Sequence, residues 1–457
     1  MSEQDATLDE FSEGDELDPT LELGPIEIDL PREWDARELS ELFNLTTGNN
    51  YSGDYLSEEN NGGRIFLTLK SVNKGGGFNW DSIKYYTGEV NDREVVEPGE
   101  LLIANTDVTQ DGDIVGYSVR VPDFDTEREV AASMDLSILR RRSNEVNLPY
   151  MEYLLQTDYI HSRMRSFSAG STVLHLNTDL VESLSLPVPP LEEQRKIASV
   201  LYTVDQAIQK TEEIISKLGR VKLGLYQRLF SEGYDQHDSF KSTKYGETPS
   251  QWKIKKLSEV TSQIQAGGTP DTNVPEYYAG SIPWIKTGEL SQARITDTEE
   301  YITEKGLENS TARIFEPGTV LIAMYGATTG EVALLEIEAT SNQACCGVVT
   351  TEELQPEFLY HQLQYLSNRL ESLGAGSGQQ NISKGIIEKF DVLVPTTQEQ
   401  ESIVGVLNNV DESVIRNRKV KQQFERLKQG IMQDLLSGEV RTHDKDIELV
   451  DDVLQYG

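Results

Sequence analysis

PVPPLEEQRKIASVLYTVDQAI at residues 187–208 and LVPTTQEQESIVGVLNNVDESV at residues 393–414 are two versions of one pattern. Glu193 falls on Glu399, Gln194 on Gln400, Ile197 on Ile403 and Asp205 on Asp411, always 206 positions apart. The same spacing carries Lys222 onto Lys428, Gly224 onto Gly430, Leu229 onto Leu435 and Ser231 onto Ser437. Further upstream, LPREWDARELSELF (30–43) answers TPSQWKIKKLSEVT (248–261), EPGELLIA (97–104) answers EPGTVLIA (316–323), and SAGS (168–171) answers GAGS (374–377). The landmarks keep one order in both copies, so the chain is a tandem duplication. Each copy is a globular part followed by one long helix.

The helices follow from periodicity. Ile197, Leu201, Val204, Ile208, Ile215, Leu218, Leu225 and Leu229 recur at gaps of three and four, extended through Thr211 and Lys222. Pro189 and Pro190 suit a helix start, and Glu192 and Glu193 complement its positive end. With no internal proline, the spacing predicts a helix to about Ser231, roughly 60 Å long. Ile403, Leu407, Val410, Val414, Phe424, Ile431 and Leu435 repeat the seam, interrupted by Asn417 and Lys421. Such a stripe must be buried. Antiparallel pairing of the two helices as a coiled coil, which gives the repeat a pseudo-twofold relation, is the plainest partner.

Between these landmarks the globular parts read as mixed. RIFLTLKSV (64–72), ELLIANTDV (100–108), SIPWIKT (281–287) and TVLIAMYGAT (319–328) are strand-like runs between Gly, Asn and Pro turns. PYMEYLLQTDYIHSRMRSF (149–167) and PEFLYHQLQYLSNRLESL (356–373) read as helices. The expected class is α+β, with domains at 31–190 and 249–395, long helices at 191–233 and 396–438, and a linker at 234–248. An acidic, disordered extension (1–30) and an acidic tail (439–457) complete the chain. Residues 105–145 bear little likeness to 324–352, and a shared scaffold with unlike loops is what two binding modules of different specificity show.

Lys and Arg number 41 against 77 Asp and Glu, a formal charge of −36. A phosphate-gripping surface relies on cations. Either the protein avoids nucleic acid, or it works in concentrated salt, where the Debye length shrinks to about 3 Å near 1 M. The acid excess runs through helices, turns and both tails, which favours a salt-loving host. No apolar run approaches the roughly 20 residues needed to span a bilayer, and nothing resembles a signal peptide. A cytoplasmic chain without membrane contact is expected. The two cysteines, Cys345 and Cys346, are adjacent and read as small buried hydrophobes.

Together these segments resemble the specificity subunits of type I restriction-modification systems, over nearly the whole chain from about Pro31 to Arg441. The boundary motifs carry most of the likeness, with LKQGIMQDLLSGEVR from Leu427, its partner VKLGLYQRLFSEG, IPWIKTGEL and GSGQQNIS adding to it. The resemblance implies two target-recognition domains alternating with two conserved helices. Each domain would read one half of a split, asymmetric sequence in double-stranded DNA, and the helices would set the gap. It also implies two copies of a methyltransferase subunit and a restriction subunit as partners. Those partners would hold S-adenosylmethionine, ATP and Mg, with no cofactor on this chain. Glu193, Gln194, Glu399 and Gln400 in the boundary motifs are then the candidates for partner docking.

For DNA contact the candidates are Lys70 and Lys74 in the first domain and Lys286 with Thr287 in the second. Lys70 and Lys286 stand at similar points after a strand. Asn105 and Thr106 follow one strand, and Tyr325, Thr328 and Thr329 follow its counterpart in a Gly-flanked turn. Gln379, Gln380 and Asn381 follow a flexible GAGSG, where paired amides suit an adenine edge. Surface lysine and ordinary turn chemistry explain these residues about as well.

No catalytic site emerges. The chain has no GxxxxGK[ST] loop, no Asn-Pro-Pro-aromatic loop and no glycine motif for S-adenosylmethionine, and its five histidines lack a ligand spacing. Two readings other than a restriction system stay open: a coiled-coil protein-interaction scaffold, and the specificity subunit of a methylation-only or related defence system.

Overall fold

A computed structural model of the protein describes residues 20–23, 26–109, 111–374 and 381–456. The chain divides into two units: one runs to Lys210 and resumes at Val420, and the other is Thr211–Lys419. Both cuts fall inside long helices, Leu191–Ser231 and Thr397–Leu436. Each unit is therefore a globular domain, the first half of the helix that follows it, and the second half of the other helix. Among the described residues no helix is long and apolar enough to cross a membrane.

The seam positions point inward. Ile197, Leu201 and Leu229 are buried, as are Ile403, Leu407 and Leu435. Val204, Ile208, Ile215, Leu218 and Leu225 are half-buried, whereas most of their neighbours are exposed. Within each unit the half-helices run antiparallel. Lys428 pairs with Asp205 at 2.7 Å in the first unit, and Lys222 with Asp411 at 2.5 Å in the second. These are the same two residues of the repeat, each met from the other helix. A lysine on an apolar seam fixes register, because any slip strands its charge.

The two globular domains share a framework. In the first, a four-stranded antiparallel sheet has the order Ser118–Arg120, Leu101–Ala104, Leu136–Arg141, Phe43–Thr47. In the second, Val332–Leu335, Val320–Ala323, Cys345–Thr350 and Thr261–Ala266 take the same places, with Arg294–Ile295 added at one edge. Every residue of Leu101–Ala104 and of Val320–Ala323 is buried, as their unbroken apolar runs require. Each domain also holds a mixed sheet with one parallel pair: Arg64–Leu67 beside Val130–Ala132, and Tyr278–Ile285 beside Thr340–Ser341. The expected helices are present but each is broken in two, Leu148–Leu155 then Asp158–Ser166, and Pro356–Tyr365 then Ser367–Gly374.

Helix and domain are joined by a buried polar knot, built twice. Pro31 and Pro249 each accept a turn bond from the tryptophan three residues on, which fixes the Pro-x-x-Trp geometry. Trp34 then donates its indole N–H to Glu193 at 3.1 Å, and Trp252 to Glu399 at 2.8 Å. Both carboxylates are about 1% exposed. Arg441 grips Glu193 through Nε and Nη2, each at 2.9 Å, and the Thr442 N–H adds a bond at 3.1 Å. For Glu399 the matching partners are His237 Nε2 at 2.8 Å and the Tyr234 N–H at 3.0 Å. The next residue is satisfied as fully. Gln194 accepts from the Asn147 N–H and donates to the Glu145 and Pro189 carbonyls. Gln400 accepts from Gln355 and donates to Glu353 and Pro395.

Three expectations change here. The linker at 234–248 is part of the knot and of a hairpin, Phe240–Thr243 with Gly246–Pro249. In the extension, Thr20–Leu23 pairs with Ile26–Asp29, and Leu21 and Leu30 are buried in the first unit's core. Residues 1–19 lie outside the described residues. The acidic tail folds back on its own unit: Val453 joins the core, and Asp452 meets Arg120 at 2.8 Å. Sparse apolar residues hid these segments, because two or three anchors are enough once a core is there to receive them.

Removing one member of a buried ion pair leaves the other uncompensated, at about 3–5 kcal/mol. Arg441→Ala is therefore expected to destabilise the first unit by about 3 kcal/mol in denaturant unfolding. Gln400→Ala orphans one N–H and two carbonyls and is expected to lower the second unit's stability by about 2 kcal/mol.

The second unit also carries a titrating group. His361 is buried against Tyr226 at 3.2 Å and Asn408 at 2.8 Å. Burial above all, with Lys222 and Arg294 nearby, pushes its pKa down to about 4, although Asn408 and Asp411 pull the other way. A histidine held neutral stabilises the fold above its unfolded pKa of 6.5, and that stability drains away as pH falls toward 4. Melting the wild type and His361→Gln from pH 7 to pH 4.5 is expected to show this added loss in the wild type alone.

Candidate nucleic-acid interface

The cations of each domain are mostly spent inside it. Arg64 pairs with Glu129 at 2.8 Å, Lys74 with Asp113 at 2.8 Å, Arg120 with Glu152 at 3.0 Å and Arg140 with Glu100 at 2.9 Å. In the second domain Arg294 holds Glu336 at 2.6 Å and Glu357 at 2.9 Å, Lys255 holds Glu353 at 2.6 Å, and Lys286 holds Glu300. Lys70, Arg313 and Lys389 are exposed. Among the described residues these three have no ion-pair partner, nor have the exposed Arg128, Arg165 and Lys256.

Lys70 and Lys286 do not occupy equivalent places. The parallel pairing sets Leu67 opposite Ala132 and Ile285 opposite Ser341, so Thr68 and Lys286 are the matching residues. Each caps the short 3-10 turn that follows, and Lys70 sits two residues further along, inside its turn. Thr287, the first residue of the second turn, is half-buried.

Asn105 and Thr106 are buried braces. The Asn105 side chain accepts from Ser137 Oγ at 2.7 Å and donates to the Met134 carbonyl at 3.4 Å, while Thr106 donates to Asp135 at 3.3 Å. Their groups tie the strand end to its neighbours and do not face solvent. The next residue, Asp107, is not among the sequence candidates. It is fully buried and accepts from the Thr109 N–H and hydroxyl, both at 2.7 Å, and from Val115 N–H at 3.1 Å. Burial alone would raise its pKa, but these donors outweigh it and hold the carboxyl below the usual range. The cage stiffens the loop and leaves Val108 70% exposed beside it.

In the second domain Tyr325 and Thr328 are half-buried, and Thr329 is buried with its hydroxyl donating to the Gly326 carbonyl at 2.8 Å. Gly326 and Gly330 have φ of 96° and 87°, so the turn needs glycine at both points. Tyr325 pairs across a β-bridge with Asn381, and Asn381 is exposed. Met324, Tyr325, Asn381, Ser383 and Lys384 line an open hollow of about 520 Å³. Gln379 and Gln380 lie outside the described residues. The first domain makes the same pairing between Thr106 and His175. His175 is exposed at the place of Asn381, 206 positions earlier, and the repeat spacing alone could have located it.

The four docking candidates are not surface groups. Glu193, Gln194, Glu399 and Gln400 are buried, and their polar atoms are taken up inside their own unit. A partner cannot reach them without opening the knot, so they join domain to helix.

Comparison with known proteins fits this layout. The family model of the type I restriction modification DNA specificity domain matches residues 31–220 and 249–426. The chain is 24% identical over 422 residues to the protein described as the MjaX specificity subunit of Methanocaldococcus jannaschii, covering 90% of this chain and 95% of that one. It is 25% identical over 232 residues to the type I restriction enzyme EcoR124I/EcoR124II specificity subunit of Escherichia coli, covering 50% of this chain and 55% of that one. The crystal structure of a type I restriction-modification S subunit from M. genitalium superposes with a TM-score of 0.57 at 17% identity, over 91% of this chain and 98% of that one. Two copies of one sheet framework, each matched by the same family model, place this chain in the family of type I restriction modification DNA specificity domains.

Proposed function

We propose that the chain is the target-reading subunit of a type I restriction-modification complex and has no catalytic role of its own. Each recognition domain reads one half of a bipartite duplex, and the paired helices fix the distance between halves. The observation that carries this reading is the contrast inside the repeat. Knots, seam and sheets agree between the copies, whereas the turn after the parallel-paired strand and the loop after the buried strand differ. Like frames with unlike loops produce an asymmetric target. Two methyltransferase subunits and a restriction subunit are the partners, and they hold S-adenosylmethionine, ATP and Mg. The complex works in the cytoplasm, where the DNA is.

The internal pairing of cations supports binding with few phosphate contacts. Three or four such contacts give a slope of about −3 in log K against log salt, where six to ten would give about −5 to −9. Fluorescence anisotropy from 0.1 M to 2 M KCl is expected to show the shallow slope and retained specific binding at high salt.

Methylation mapping tests the function itself. Deleting the gene is expected to erase adenine methylation at one split, asymmetric motif and at no other. Transplanting residues 249–395 from a relative is expected to change one half of that motif only. A methylome unaltered by the deletion, in cells where the partner subunits are expressed, overturns the reading and leaves the scaffold as its replacement.

A further inference from the structure

Between strands Arg64–Leu67 and Lys84–Tyr86 the first domain carries a short hairpin with no counterpart in the second. Three successive glycines, Gly75, Gly76 and Gly77, take φ of 90°, 90° and 82° and turn it back, so that Val72 bridges to Phe78. Phe78 then meets Trp80 at 5.1 Å and Phe124 at 5.7 Å, and Trp80 meets Phe124 at 5.8 Å, all edge to face. The trio props Trp80 outward, and its side chain is 57% exposed. Trp34, Trp252 and Trp284, the other three tryptophans, are buried. In the same interval of the second domain, residues 286–300 contain no aromatic residue.

An exposed indole forgoes the burial that its large apolar surface would gain, and one propped by two other rings on a loop that only one copy carries is held ready for contact. The surroundings select which. Asp81, Asp123 and Asp125 flank the trio and repel phosphates, so the ring does not serve the DNA backbone. Lys70, exposed and without an ion-pair partner among the described residues, lies on the adjoining turn, where Asn79 donates to its carbonyl at 3.0 Å. A cation for the phosphate and an uncharged ring for the base thus lie on two joined turns. In a chain of charge −36 a contact that owes nothing to Coulomb attraction is the kind that survives salt.

We propose that Trp80, held by Phe78 and Phe124, packs against the bases of the half-site read by the first domain, as an aromatic contact that the second domain lacks. This rests on the DNA-reading function. In a duplex the ring meets a base at its groove edge, as in apolar contact with a thymine methyl, and losing the readout of one base pair costs about 1–3 kcal/mol, or roughly fivefold to 150-fold in affinity.

The test uses the full chain with a labelled duplex carrying the motif found by methylation mapping, in 1 M KCl. Trp80 is the one tryptophan open to acrylamide, so its shielding is read directly while anisotropy reports binding. Shielding on binding is expected, together with about tenfold or greater weakening in Trp80→Ala, an unchanged salt slope, and near-recovery in Trp80→Phe. The methylome of Trp80→Ala should relax in the first half-site alone. If the duplex binds while Trp80 stays open and Trp80→Ala binds as well as wild type, the inference fails and the DNA-reading function stands. Shielding by the methyltransferase subunit without DNA also overturns it, in favour of a protein contact. If no duplex binds, both fail.

Discussion

Everything in each unit hangs on one buried carboxylate at the start of a long helix. Glu193 and Glu399 sit in the first turn, where the unpaired N–H groups favour negative charge. That alone would not keep a carboxylate in the interior. What keeps it there is a complete set of donors from two directions: an indole from the turn that opens the domain, and groups that follow the end of the other helix. One side chain thereby joins three segments remote in sequence. The glutamine beside it adds the loop ahead of the domain's own helix. A half-satisfied knot would be worse than an apolar core, so the motif must be kept whole or lost together.

The knot also explains why the spatial units do not follow the repeat. Each carboxylate recruits its cation or imidazole from beyond the far end of the other helix, so a unit is completed by a segment from the opposite copy. Asp205 with Lys428, and Asp411 with Lys222, apply the same exchange midway along the helices. Those lysines occupy seam positions, and each lies within cation–π distance of a tyrosine, Tyr153 or Tyr226. Charge on the seam thus serves register, and the aromatic cover keeps it from water.

Much of this was legible in the sequence because it is periodic or repeated. The seam from Ile197 to Leu229 placed the first helix at 191–233, within two residues of its end at Ser231. The landmarks around Trp34 and Trp252 marked the domain starts. What composition concealed were the short hairpin ahead of each tryptophan and the tail at Val453, where a few anchors dock on a core that local reading cannot see. Identity shared by both copies was also ambiguous. Glu-Gln pairs repeated at a helix start suit a partner surface as well as a buried joint, and only burial separates the two. Asn105 and Thr106 went the same way, since polar residues after a strand turn inward as readily as outward. Equivalence was hidden too: Lys70 and Lys286 look matched by spacing, yet the parallel pairing shifts one against the other by two residues.

The acidity and the specificity are linked through the ion pairs. A domain that neutralises Arg64, Arg120, Arg140 and Arg294 with its own carboxylates has little positive field left to draw in a duplex. Nonspecific affinity, which is almost wholly electrostatic, falls first. Contacts to base edges fall far less, because hydrogen bonds and ring packing act at short range and are not screened away. A repulsion common to every duplex lowers specific and nonspecific binding alike, so discrimination comes from the short-range contacts. The net charge of −36 thus leaves binding to those contacts. Its cost is that each half-site must be held by a few uncharged or singly charged groups, placed by a frame stiff enough not to waste them. Buried knots, seam lysines and the Asp107 cage provide that stiffness.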